Sequence, residues 1–138
     1  MARRILFILI AVYAVGLAVV AFWPVPVDRG IHGVLLRLIA VLDTHGLPFV
    51  SYAMVEFTAN VVLFLPLGLL LAAATRRGSR LLALAFCIAA SLAIELGQAV
   101  FLPERFASPL DLLANSLGAA IGVAVVAGTE KRGRSSAS

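Results

Sequence analysis

Charge, cysteine and polar side chains are all scarce in this 138-residue chain. Only 13% of its residues are charged and 62% are hydrophobic, against roughly 25% and 45–50% in a soluble globular domain. That imbalance excludes a water-soluble fold and leaves lipid as the solvent. A single cysteine, Cys87, rules out an intramolecular disulfide and carries no information about redox compartment. Lying inside an apolar run, it needs no role beyond that of a small hydrophobe. The net charge of +4 comes without a basic face interleaved with aromatics and without a recognisable module, which argues against nucleic acid. The length leaves room for four spanning helices of about 20 residues each and no separate soluble domain.

Four apolar runs are present, at about residues 5–22, 51–75, 81–101 and 109–127. The first is followed by Trp23-Pro24-Val25-Pro26, a helix stop with an aromatic at interface height. Arg3 and Arg4 would also suit the charged start of a signal peptide. The run is long for that purpose and Ala18 to Ala21 offers no good cleavage site, so an uncleaved span is preferred. Between the first and second runs, Ile31, Val34, Leu35, Leu38, Ile39 and Leu42 recur at helical spacing. That stretch is too short to cross about 30 Å of hydrocarbon, and with Arg29 and Arg37 beside it reads as a short extracytoplasmic interfacial helix. The expected fold is therefore an all-α integral membrane protein with four transmembrane helices and one interfacial helix. One membrane domain covers residues 1–127, and a disordered basic tail covers 128–138.

Arg3, Arg4, Arg76, Arg77, Arg80, Lys131, Arg132 and Arg134 fall on one side of these spans, and only Arg29, Arg37 and Arg105 on the other. The positive-inside rule then puts both termini in the cytoplasm, with the protein crossing its membrane several times.

The polar residues within the spans are few and patterned. Glu56 and Asn60, Glu95 and Gln98, and Asp111 and Asn115 are separated by four, three and four positions, spacings that stack side chains on one helical face. Counted inward at about 1.5 Å per residue, Glu56 and Glu95 lie roughly 8–9 Å deep and Asp111 about 3 Å deep, so all six residues fit one extracytoplasmic layer. A carboxylate there costs several kcal/mol unless it is paired, protonated or wetted, so these groups should face each other or a pocket. Arg105, in the loop between the third and fourth spans, is the expected cation for Glu95 or Asp111. His32, His45 and Asp43, in the other outer segment, are candidates to cap the pocket, with plain solvation of an interfacial helix as the alternative. The competing reading of the six residues is interhelical glue, since such hydrogen bonds are worth about 0.6 kcal/mol and are common in membrane bundles.

Gly118 and Gly122 form a G-x-x-x-G step below Asp111 and Asn115, which suits close helix packing, and Gly97 suits the same use on the third span. Pro66 withholds a donor from the carbonyl of Val62 and should bend the second span. Carboxylates with amides can hold Mg²⁺ or Ca²⁺, but nothing in the residues requires a metal or other cofactor.

Taken in order, Glu56-x3-Asn60, Phe64-Leu65-Pro66-Leu67-Gly68, Glu95-x2-Gln98 and Arg105-x2-Ser108-x2-Asp111-x3-Asn115-x2-Gly118-x3-Gly122 resemble the VanZ-like family of bacterial membrane proteins. The resemblance runs from about Tyr52 to Val125. It implies a link to resistance against teicoplanin and related lipophilic glycopeptides by a route that leaves the peptidoglycan precursor unremodelled. It supplies no agreed biochemical activity, and such proteins also occur in bacteria with no evident resistance role. Glu56, Asn60, Glu95, Gln98, Arg105, Asp111 and Asn115 are the positions it singles out.

Two functions from different classes are open. One is a non-enzymatic binder of a lipid headgroup, a lipid-linked cell-wall precursor or the glycopeptide itself. The other is an enzyme acting on a lipid-linked phosphate or sugar, with a carboxyl group as acid or base. No nucleophile-base pair, His/Cys ligand cluster or phosphate loop supports the enzyme, which favours binding without deciding it. Transport is disfavoured because Val61 to Ala74 and Leu82 to Ile94 offer almost no polar path, and a structural bundle without a ligand is the remaining reading. The glycine faces also suit a homodimer.

Overall fold

The computed structural model describes residues 2–23, 32–44, 51–102 and 108–135. They form five α-helices: α1 (Ala2–Ala21), α2 (His32–Thr44), α3 (Tyr52–Ala74), α4 (Arg80–Phe101) and α5 (Pro109–Ser135), with a 3-10 turn at Arg77–Ser79 before α4. Among the described residues there is no strand. Four stretches are long and apolar enough to cross a membrane: Arg3–Ala21, Tyr52–Ala74, Arg77–Phe101 and Pro109–Glu130. The 13 residues of α2 reach only about 20 Å at 1.5 Å each, short of the hydrocarbon thickness. The chain is an all-α integral membrane protein.

The distribution of size across the bundle inverts that of a soluble one. Buried positions are held by small side chains such as Ala72, Ala83, Ala114, Ala119, Ser91 and Cys87, whereas Leu81, Val100 and Phe101 are exposed. Hydrocarbon outside the bundle removes any penalty for exposing leucine or phenylalanine, so helices gain by approaching closely. Leu17, Phe64, Leu67, Cys87 and Ala119 make the central cluster, with at least one residue from each of the four long helices.

The closest pairing is α3 against α5, and three glycine positions show why. A Cβ on Gly118 would overlap the carbonyl of Val61, one on Gly122 would lie 2.6 Å from the amide nitrogen of Leu69, and one on Gly68 would lie 2.8 Å from Cα of Ala119. Backbone meets backbone at all three, so no side-chain movement could make room. Gly97 differs, because what a Cβ would meet there is the tip of the Phe22 ring.

Pro66 lies inside α3, and the turn before it is supported from another helix. The Tyr13 hydroxyl of α1 donates to the carbonyl of Leu63 at 2.6 Å, one residue beyond the carbonyl that Pro66 leaves without its usual donor. Ser51 caps the start of α3, accepting the amide of Met54 at 3.3 Å.

At its far end α5 departs from expectation. It continues as a helix to Ser135 and does not stop near residue 127, so residues 128–135 are not the disordered tail that their polarity implies. The added turns are tied to the start of α4: Glu130 accepts from Arg80 and lies 2.5 Å from Nε of Arg77. A carboxylate held by two guanidinium groups keeps the helix in register after its apolar residues run out. The last three residues fall outside the described set.

Candidate functional site

At the opposite end of the bundle from Glu130, the C-terminal ends of α1 and α4 meet the N-terminal halves of α3 and α5. Among the described residues, four hydrogen bonds connect polar side chains of these segments, each between different helices or helix ends. Asn60 Nδ2 on α3 donates to Asp111 Oδ1 on α5 at 2.8 Å. Asn115 Nδ2, one turn deeper on α5, donates to Ser91 Oγ on α4 at 2.9 Å. Gln98 Nε2 on α4 donates to the carbonyl of Ala21 at 2.8 Å, serving one of the last carbonyls of α1, which have no partner within their own helix. Finally, the amide of Ser108 donates to Glu95 Oε2 at 3.0 Å.

The Ser108 contact sets Glu95 at the N-terminus of α5, since the Ser108 carbonyl already accepts from Asp111 and Leu112. The positive end of the helix dipole lies there and favours a carboxylate. Glu95 is 7% exposed and Asn115 4%. Burial this deep in lipid requires the hydrogen bonds that both residues make.

Between these groups lies a cavity of about 50 Å³ whose polar wall is Asn60, Glu95, Gln98 and Asn115, with Leu17 and Phe64 among its apolar wall. Asn115 Oδ1 is buried and has no hydrogen-bond partner among the described residues. An unmet buried acceptor costs about 1–3 kcal/mol, and each such atom in a folded protein calls for an explanation.

Of the residues singled out in the sequence, four therefore share one cavity. Asp111 is outside the cavity wall and bonds to Asn60 in it, and Glu56 is exposed on α3, a turn away from Asn60 and outside the cavity wall. Arg105 and His45 lie outside the described residues, and so do the side chains of His32 and Asp43 on α2. Among the described residues no three of His, Cys, Asp and Glu come together as metal ligands. Ser91 and Tyr13 were not anticipated. Ser91 stands four positions before Glu95 on the same face of α4, the same i, i+4 signal that marks the other polar pairs.

The family described as VanZ/LLP1 matches residues 7–128 of the chain. The chain belongs to the VanZ/LLP1 family. The matched region takes in all of α3 and α4, most of α1 and α5, and every polar residue of the cavity wall. No curated protein and no solved structure matches this VanZ/LLP1 chain.

Proposed function

We propose that this VanZ/LLP1 protein is a non-enzymatic binder that takes the end of a lipid headgroup, or of a lipid-linked envelope component, into the polar cavity from the outer leaflet of a bacterial cytoplasmic membrane. By doing so it reduces the access of teicoplanin and related lipophilic glycopeptides to their target. The observation that carries this reading is Asn115: a buried amide, on the wall of a cavity, with an acceptor that no group among the described residues serves.

Size supports an envelope component over the antibiotic as the guest. A volume of about 50 Å³ compares with roughly 30 Å³ per molecule of liquid water, so the cavity takes the tip of a headgroup and not a glycopeptide. The chemistry of the wall supports binding over catalysis, because one oxygen of Glu95 already accepts from Ser108 at a helix end, and one N–H of each amide already bonds to a neighbouring helix.

The test is expression in a susceptible host, comparing teicoplanin with vancomycin. Selective protection against teicoplanin that is lost in Glu95→Gln and Asn115→Leu supports the reading. Protection that survives both substitutions, or no teicoplanin-selective protection at all, sinks it.

A further inference from the structure

The polar wall of the cavity holds one acceptor that asks for a hydrogen. Asn115 is 4% exposed, its Oδ1 is buried, and no donor among the described residues reaches that oxygen. The same wall also keeps donors. Asn60, Gln98 and Asn115 each give one N–H to a neighbouring helix, and every amide nitrogen carries a second. A guest that could only donate, or only accept, would serve half of what these side chains offer.

We infer that the group received by the cavity is an uncharged hydroxyl. This rests on the binding reading given above and specifies the guest. A hydroxyl carries an O–H for the Asn115 oxygen and two lone pairs for amide N–H groups, all on one atom. A lipid phosphodiester has acceptors only, so it leaves Asn115 Oδ1 unmet and the cost of that buried acceptor in place. An ammonium has donors only and cannot accept from an amide. Being neutral, a hydroxyl enters below the interface without the penalty that a charge incurs there. It therefore needs no counter-charge from Glu95, whose Oε2 already accepts from Ser108. Leu17, Phe64 and Ile94 belong to the apolar wall and suit the carbon that bears the hydroxyl. A cavity of about 50 Å³ has room for both, because a single water needs only about 10–15 Å³.

The source of the hydroxyl is either a lipid headgroup or a free polyol, and one experiment separates them. The purified full chain is placed in nanodiscs of mixed phosphatidylglycerol, phosphatidylmethanol and phosphatidylethanolamine, and the lipids it retains are read by native mass spectrometry. Phosphatidylmethanol shares the phosphodiester and the charge of phosphatidylglycerol but has no hydroxyl, and phosphatidylethanolamine brings donors without an acceptor. Phosphatidylglycerol should be retained roughly tenfold over both, the gain expected from satisfying a buried acceptor. Asn115→Leu should abolish the preference. The comparison of lipids is made within the wild-type protein, so it decides the matter even where the leucine variant fails to fold. Displacement of phosphatidylglycerol by added glycerol would show that the hydroxyl alone suffices, and retention despite glycerol would assign the site to the lipid-borne hydroxyl; either supports the inference.

Two results overturn it, and they differ in meaning. Phosphatidylmethanol or phosphatidylethanolamine retained as well as phosphatidylglycerol, and lost in Asn115→Leu, would leave the binding reading standing and remove the hydroxyl. No preferential retention of any lipid, unchanged in Asn115→Leu and unaffected by glycerol, would remove both.

Discussion

Asn115 and Ser91 meet at 2.9 Å in the interior of the bundle, the amide nitrogen donating to the hydroxyl while the amide oxygen finds no donor among the described residues. Ser91 is wholly buried. The pair joins α5 to α4 through one arm of the amide. The structural role of Asn115 and its proposed binding role therefore use different atoms of one side chain, and they can be separated by mutation.

Ser91→Ala removes the acceptor and leaves Asn115 Nδ2 buried without a partner. The expected cost is about 1–3 kcal/mol, seen as a lowered melting temperature in detergent. Adding Asn115→Leu should recover part of that loss, because a buried apolar pair leaves no polar atom unmet. If the double variant is as unstable as the sum of the two singles, the two residues do not act as a pair.

The glycines should divide by what stands opposite them. Gly118→Val or Gly68→Val forces a side chain into the facing backbone and should abolish accumulation of folded protein. Gly97→Ala displaces only the tip of the Phe22 ring and should be tolerated. Gly78→Ala, with nothing within 4 Å, is the neutral control. Size-exclusion profiles of the four variants check the order.

Tyr13→Phe deletes the hydroxyl that serves the Leu63 carbonyl ahead of Pro66. About 0.5–1.5 kcal/mol of stability should be lost, with faster hydrogen exchange confined to the α3 turn around Leu63. Exchange that is unchanged there would mean that the carbonyl does not depend on Tyr13.

At the other end of the bundle, Glu130→Gln should loosen the last turns of α5 without affecting the cavity. Hydrogen exchange of residues 128–135 should accelerate in the variant. High salt should do the same to the wild type, because the pairing with Arg77 is half exposed and open to screening.

How far the chain could be read in advance follows from the range of the interactions involved. The four spans are local properties of composition, and each appears as a helix close to where its apolar run lies. The end of α5 was missed because Gly128 and the charges after it end the hydropathy signal, while the contact that keeps the helix going joins Glu130 to Arg80, fifty positions away. The same distinction applies to the polar residues. Spacing put Glu56 with Asn60 on one face of α3, and both are there, but spacing within a helix does not say that Asn60 would bond to Asp111 while Glu56 stays exposed. Ser91 was passed over because a lone serine in an apolar helix is unremarkable until the amide opposite it is known. Gly68 stands in the sequence only as part of a motif, because its packing role lies in the Ala119 backbone across the seam.

The central claim is that the cavity walled by Asn60, Glu95, Gln98 and Asn115 receives a group from the surrounding membrane. A structure of the protein in native-lipid nanodiscs tests it most directly. The account predicts non-protein density inside the cavity, within hydrogen-bonding distance of Asn115 Oδ1 and continuous with a lipid at the surface of the bundle. A cavity closed by movement of its own side chains, with Asn115 Oδ1 served by a donor from the protein, would contradict it.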